Sequence, residues 1–180
     1  MIAFSILILL TGAERLGELI ISTRNARWAF ERGGIEFGAR HFPAMVALHT
    51  GLLLSALAEV WLLQRPFIPL LGWPVLILAL ACQLGRYWVI WALGPQWNTR
   101  VIVVPGLGRV TRGPYRWSWL THPNYVIVAI EGVALPLVHS AWSTAAAFTV
   151  LNAVLLLKFR IPAEDRALGT LTALSTRPLI

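Results

Sequence analysis

The sequence predicts an all-α integral membrane protein with about five transmembrane helices. Its composition is the first indication, since 57% of the 180 residues are hydrophobic and 13% are charged, whereas about a quarter of the residues in soluble domains are charged. The second is a set of apolar runs near the roughly 20 residues that cross a hydrocarbon core. These runs cover residues 2–22, 43–63, 67–93, 125–138 and 141–159.

The placement of arginine and lysine is the third indication. Basic residues cluster in the polar segments that follow the first, third and fifth runs, whereas only Arg65 lies in a loop on the opposite side. Because positive residues accumulate in cytoplasmic loops, five spans predict an outside N-terminus and a cytoplasmic C-terminus. The net charge of +7 then indicates orientation rather than nucleic-acid binding, which needs a polar, soluble domain.

Each predicted element has a local reason. The first run lacks the positive start and small-residue cleavage site of a signal peptide, so it is a retained helix. The short fourth run forms a hairpin with the fifth, turning at 136–140. The "VIVV" before "PG" predicts a short extended piece. Pro162 is expected to interrupt the last helix and redirect the chain before Glu164 and Asp165.

No repeat or linker divides the chain, so residues 1–180 are predicted to form one domain. Residues 1–93 supply three spans, and residues 94–180 supply a polar loop, the helical hairpin and the C-terminal segment.

Ionisable residues inside the apolar runs are one group of candidates for chemistry. Because charges at membrane depth are costly, such groups pair with each other or line a cavity. Both interpretations stay open, with Arg86 and Glu131 as one possible pair. The residues concerned are Glu14, Arg15, Glu18, Glu59, Arg86 and Glu131.

The segment "GPYRWSWLTHPNY" (113–125) is a second group of candidates. Its tryptophans and tyrosines suit a membrane-interface belt, but Gly113-Pro114 and His122-Pro123 indicate a fixed backbone shape. A lone His122 is more often packed than catalytic, and without a second histidine nearby it predicts no metal site. Further on, Arg160 and Glu164 are four residues apart and can pair on one helix face.

Four features follow one another in the second half of the chain: "LGRVTRGPY", "HPNY", an apolar hairpin with Asn152, and R-x-x-x-E-D at 160–165. Together and in this order, they resemble the pattern of the isoprenylcysteine carboxyl methyltransferase family. The resemblance implies a cytoplasmic pocket for S-adenosylmethionine, formed by the C-terminal half, and a lipophilic substrate that enters from the bilayer. Arg160 matches an arginine on the substrate side. The implied cofactor contacts are Leu107, Gly108, Arg109, Val110, Tyr115, His122, Pro123, Asn124, Tyr125, Glu164 and Asp165.

The N-terminal half adds a narrower resemblance. "ISTRNARW" and "RYWVIWALGPQWNTRVIVVPG" are similar to a bacterial branch associated with type III polyketide synthases. This likeness implies O-methylation of long-chain alkylpyrones or alkylresorcinols at a bacterial inner membrane. Alternatives are a prenylcysteine carboxyl methyltransferase, an NADPH-dependent membrane reductase, and a non-enzymatic scaffold or transporter. Arg160 would position the acceptor, and a phenol would need His122 or Glu131 as a base.

The chain departs from the family pattern in one loop and at its end. Six residues separate Tyr115 from His122, where the family has four ending in arginine, so Thr121 stands at the arginine position. Either Arg112 or Arg116 replaces that arginine, or the pocket is altered. Asp165 stands where the family has a second glutamate, and the family's aromatic tail is lacking.

Overall fold

Six α-helices make up most of the protein, and the computed structural model describes residues 1–117 and 119–175. Proline lies in the first turn of α2, α3 and α4, where its fixed φ suits a helix start. The five predicted apolar runs all coincide with helices. The helices are α1 (Ile2–Phe30), α2 (Phe42–Leu62), α3 (Pro69–Leu93), α4 (Pro123–Leu137), α5 (Trp142–Leu155) and α6 (Ile161–Ser175).

Within the described residues, three helical stretches are long and apolar enough to cross a membrane. They are Ala39–Leu62, Pro69–Gln96 and Trp142–Thr170. Helix α4 is apolar but has 15 residues, and α1 carries Glu14, Arg15 and Glu18 in its apolar stretch. The chain is therefore a helical membrane protein, while the number of five spans stays a prediction.

Two short strands accompany the helices, and the mostly helical fold agrees with the predicted class. Strand β1 (Ile35–Phe37) pairs antiparallel with β2 (Val101–Val103), with Ile35 opposite Val103. The extended "VIVV" segment is thus confirmed. Strand β1 follows α1, β2 follows α3, and α6 packs on both strands, so the three predicted polar segments meet at one end of the bundle. Arg177 of the third basic cluster lies outside the described residues.

Helices α4 and α5 form the predicted hairpin. They pack closely, because a Cβ on Gly132 would lie 1.9 Å from Cε1 of Phe148. The start of α5 is held from α2, where the Glu59 carboxylate accepts hydrogen bonds from the Thr144 backbone N–H at 2.7 Å and its hydroxyl at 2.8 Å. Arg65 pairs with the same carboxylate at 2.8 Å, at the end of the bundle opposite the strands.

The predicted interruption at Pro162 is wrong. Helix α5 passes through one π-helical turn (Leu156–Arg160) directly into α6. A proline ring lacks an N–H and crowds the carbonyl four residues earlier, but the first turn of a helix tolerates it. Pro162 occupies that first turn of α6, immediately after the wide π turn. The π turn therefore carries the helix past the proline and sets the directions of Arg160 and Glu164.

Candidate functional site

A cavity of about 140 Å³ lies at the strand end of the bundle. It is enclosed by the end of α1, β2, the loop after β2, the start of α4, and α6. Of the predicted site residues, it brings together Leu107, Arg109, Val110, Tyr115, Asn124, Tyr125, Arg160 and Glu164. We call this space the polar cavity.

The N-terminal half also contributes to the polar cavity, in addition to the C-terminal half from which the pocket was predicted. Asn25, Trp28 and Ala29 of α1 line it, and the Asn25 side chain donates to the Trp97 carbonyl at 2.7 Å. Sequence reasoning did not include these residues among the cofactor contacts, because the motifs that imply those contacts lie after residue 100. The charged and aromatic "RNARW" segment at the end of an apolar run was the available signal.

A second cavity of about 460 Å³ adjoins the polar cavity and shares Trp28, Arg109 and Val110 with it. Gly108 lines this second cavity rather than the first. Ligand pockets typically hold about 300–1,000 Å³, so the polar cavity alone is small for a cofactor. The two adjoining spaces together reach that range.

His122 joins the start of α4 to the acidic pair on α6. Its Nδ1 lies 3.4 Å from Oε1 of Glu164, and its Nε2 lies 3.5 Å from Oδ1 of Asp165. Contact with the Glu164 carboxylate raises the pKa of His122 above its ordinary value, against the opposing effect of burial. His122 thus contacts the Glu164 carboxylate from outside the polar cavity. His122, buried Pro123 and half-exposed Asp165 do not line the polar cavity.

Arg160 lies at the inner wall of the polar cavity and is 5% exposed. Its guanidinium carbon is 5.8 Å from the centre of the Tyr125 ring, and its Nε has no hydrogen-bond partner among the described residues. The predicted pair with Glu164 does not form within 4 Å, because the Glu164 carboxylate is turned toward His122. Arg160 therefore keeps hydrogen-bonding capacity for a ligand.

The loop that carries Tyr115 is shaped by Gly113. This glycine has a φ of +61°, and a Cβ there would lie 2.6 Å from Cβ of Ala92, so other residues would be strained and crowded. Burial raises the pKa of the Tyr115 phenol, which keeps the hydroxyl protonated. Tyr115 therefore offers a hydrogen-bond donor to the polar cavity.

Arg112 and Arg116 are the two candidates for replacing the family arginine. Arg112 donates to the Ala92 carbonyl at 2.7 Å, and the Arg116 guanidinium lies 4.8 Å from the Trp117 ring. Neither lines the polar cavity, although Arg112 lines the adjoining second cavity. Arg109 does line the polar cavity, and its guanidinium donates to the carbonyl of Thr121 at 3.4 Å.

Glu131 lies deeper in the bundle, away from His122. Its carboxylate pairs with Arg15 at 2.5 Å and approaches Arg86 at 3.8 Å. Arg86 pairs mainly with Glu18, with Nε donating to Oε1 at 2.9 Å. We call Arg15, Glu18, Arg86 and Glu131 the ion cluster. Glu131 lines neither the polar cavity nor the apolar one described next.

A third cavity, of about 520 Å³, lies between α1, α2, α4 and α5. It is mostly apolar, and its far end is formed by residues such as Ile8, Leu53 and Leu57. At its near end, five residues line both this space and the polar cavity: Trp97, Asn98, Asn124, Tyr125 and Arg160. We call it the apolar cavity. These five residues therefore form the partition between a polar and an apolar space.

The bundle defines the general class, a helical membrane protein in which a polar and an apolar cavity lie side by side. A family model described as the isoprenylcysteine carboxyl methyltransferase (ICMT) family matches residues 75–170. The uncharacterized protein YpbQ of Bacillus subtilis (strain 168) is 40% identical over 166 residues, which cover 92% of this chain and 96% of YpbQ. No solved structure matches the chain.

The chain belongs to the isoprenylcysteine carboxyl methyltransferase family. The family model supports this, since it spans more than half of the chain. Membership implies a membrane methyltransferase, and methyltransferases of this family in general use S-adenosylmethionine.

Proposed function

We propose that this protein is an S-adenosylmethionine-dependent O-methyltransferase whose substrate is a lipophilic hydroxyl or carboxyl compound. The observation that carries the proposal is the partition. Asn124, Tyr125 and Arg160 line both the polar and the apolar cavity. A polar cofactor on one side and a lipid head on the other would meet at these side chains.

The residues of the polar cavity fit the cofactor. When bound, S-adenosylmethionine supplies an electrophilic methyl group. Glu164 offers a carboxylate for ribose hydroxyls or the ammonium, and Arg109 offers a guanidinium for the carboxylate. The faces of Tyr115 and Tyr125 favour a sulfonium by cation–π attraction, worth about 0.5–2 kcal/mol. Leu107 and Val110 line both the polar cavity and the adjoining second cavity, and Gly108 lines the second.

Positioning is the main task that we assign to the chain's own residues. Arg160 orients the acceptor oxygen with its unpaired Nε–H, while the buried Tyr125 and the partly buried Asn124 exclude water from the partition. Holding reactants in line lowers a barrier by up to about 7–11 kcal/mol in the best-oriented cases. We propose that His122 and Asp165 act indirectly, by orienting Glu164. Glu131, engaged by two arginines, is assigned to the ion cluster rather than to proton transfer.

The substrate that we favour is a long-chain alkylpyrone or alkylresorcinol, on the resemblance of the N-terminal half to the polyketide-associated branch. Carboxyl methylation of a prenylcysteine is equally consistent with membership of the family. We further propose that the strand end of the bundle faces the cytoplasm at a bacterial inner membrane, since the basic segments collect there. One domain, residues 1–180, carries the whole site.

Calorimetric titration of the purified protein in detergent tests the proposed cofactor. S-adenosylhomocysteine should release heat on binding, whereas NADPH should not. Binding of NADPH alone would favour the membrane reductase, and absence of heat from both ligands with monodisperse protein would favour a scaffold or transporter. Either result contradicts the methyltransferase proposal.

Replacing Glu164 tests the proposed cofactor contact. Glu164→Gln should weaken binding of S-adenosylhomocysteine about tenfold or more, because a charge-assisted hydrogen bond contributes about 1.5–3 kcal/mol. Titration of the variant measures this loss. Glu31→Gln is the matched control, since Glu31 is exposed at the end of α1 and lies outside the polar cavity. Unchanged affinity in Glu164→Gln would place Glu164 outside the cofactor site.

A further inference from the structure

The apolar cavity contains polar side chains that the proposed methyl transfer does not use. His49 of α2 and Asn152 of α5 both line it. A simple hydrocarbon chain would leave these groups without hydrogen bonds, and unpaired buried polar groups are unfavourable. The cavity therefore favours a lipid whose polar head extends past the partition.

The orientation of the His49 ring follows from one hydrogen bond. Its Nδ1 lies 2.9 Å from the carbonyl oxygen of Met45. A carbonyl only accepts, so Nδ1 carries the hydrogen, and Nε2 of the neutral ring keeps its lone pair. No described residue donates to that Nε2. His49 thus presents a hydrogen-bond acceptor in the apolar cavity.

Asn152 is the second free group. It is 3% exposed, and its Oδ1 has no hydrogen-bond partner among the residues that the structure describes. It follows Phe148 by four residues, which places both on one face of α5. The Phe148 ring meets the His49 ring edge-on, with 5.5 Å between centroids. Asn152 and His49 therefore flank Phe148 on facing walls of the cavity.

The neighbouring charges of the ion cluster are already paired. Arg15 binds Glu18 at 2.7 Å, and Arg86 binds the same carboxylate through Nε. Both of these guanidinium groups are therefore engaged by carboxylates, whereas the unpaired Nε of Arg160 lies at the partition. A carboxylate would face an acceptor lone pair there, whereas a hydroxyl would donate to it.

We propose that His49 and Asn152 form a subsite for the hydroxyl groups of an amphiphile, each accepting from one hydroxyl, and that the chain of the amphiphile occupies the far end of the apolar cavity. This subsite deepens the proposed function and rests on it for the identity of the substrate. It selects neutral hydroxyl-bearing heads over fatty carboxylates and over heads without a donor.

Lipid binding in detergent without cofactor tests the subsite. Three probes of equal chain length are compared: a 5-alkylresorcinol, its dimethyl ether and an alkanoic acid. Quenching of tryptophan fluorescence measures the affinity, since Trp97 lines the cavity. The resorcinol should bind about tenfold more tightly than the ether, as expected for one hydrogen bond of about 1.4 kcal/mol. Equal affinities, or tighter binding of the acid, would overturn the proposal.

Two variants assign the selectivity to residues. His49→Phe and Asn152→Leu should each lower the preference for the resorcinol toward parity while leaving affinity for the ether unchanged. Thr50→Val is the control, because Thr50 lines the same cavity beside His49 and should keep the preference. If both variants retain the preference for the resorcinol over the ether, the subsite is refuted. If a variant fails to fold, the comparison of the three probes on the natural chain still tests the subsite.

A failure of this inference can be distinguished by experiment from a failure of the proposed function. The lipid titrations need no cofactor, so they report on the apolar cavity even if S-adenosylhomocysteine does not bind. Binding of S-adenosylhomocysteine without discrimination among the three lipids would retain the methyltransferase and reject the subsite.

Discussion

At the scale of single residues, the polar end is organised by short-range contacts that fix side chains in pairs. His122 lies between Glu164 and Asp165 and stacks on Tyr125 with 5.5 Å between ring centroids. The raised pKa of His122 links this arrangement to pH. Below its ordinary pKa near 6.5, the imidazolium stabilises the contact between α4 and α6.

The His122 contact should contribute stability that depends on pH. Because its pKa is raised in the folded state, the contribution is fully present below about pH 6.5 and is lost as the pH rises through the folded-state value. His122→Gln should therefore be less stable than the natural chain at pH 6, and the gap should narrow toward pH 8.5. Thermal unfolding in detergent across this range measures the gap, and a gap independent of pH would contradict the assignment.

Residues of the polar cavity that lie within the C-terminal motifs could be predicted from the sequence. Residues that reach the cavity only because distant helices pack together could not. Arg109, Tyr115 and Glu164 lie in recognisable motifs and line the polar cavity. Trp28 lines it too, but only because α1 ends beside β2. The "RNARW" segment marks the end of this helix but does not state which loop it contacts. Likewise, the sequence does not show that Arg112 donates to the Ala92 carbonyl at 2.7 Å.

At the scale of elements, the apolar runs predicted the helices because hydrophobic length is a property of the sequence alone. Strand β1 was not predicted, since a three-residue strand forms only when its partner strand is in place, and the paired residues Glu36 and Ile102 are 66 positions apart. The π turn before Pro162 was also missed. A proline predicts a break, but whether the helix resumes depends on packing of α6 against the strands.

The α4–α5 hairpin should be sensitive to the size of one residue. Gly132→Ala would place a Cβ within 1.9 Å of the Phe148 ring, so it should destabilise the protein by about 1–3 kcal/mol through overpacking. Gly51→Ala in α2 is the matched change, because no atom lies within 4 Å of its added Cβ; it should be neutral or stabilising by up to about 1 kcal/mol. Denaturant unfolding in detergent compares the two, and equal effects would refute the packing argument.

At the scale of the whole molecule, the ion cluster joins three helices inside the bundle. Arg15 and Glu18 belong to α1, Arg86 to α3 and Glu131 to α4. Gln83 also accepts from Arg15 at 2.8 Å. Direct packing between α1 and its neighbours is sparse beside the apolar cavity, so these polar contacts hold α1 in place while leaving the cavity open.

Replacing one member of the Arg86–Glu18 pair should lower the stability of the protein more than replacing both members. Arg86→Met leaves Glu18 short of a partner and should destabilise the protein by about 3–5 kcal/mol, whereas the double variant Arg86→Met with Glu18→Met should recover part of that loss. A double-mutant cycle by unfolding in detergent measures the coupling. Additive effects of the two single changes would show that the pair is not coupled.

The π turn also makes the helix from Trp142 to Ser175 intolerant of changes in length. Each residue of an α-helix advances the chain by about 100° of rotation, so deleting one residue between Leu156 and Arg160 would turn all later side chains by that angle. Glu164 would leave His122 although its own identity and those of its neighbours were unchanged. Spacing between Asn152 and Glu164 is thus as much a part of this site as the residues themselves.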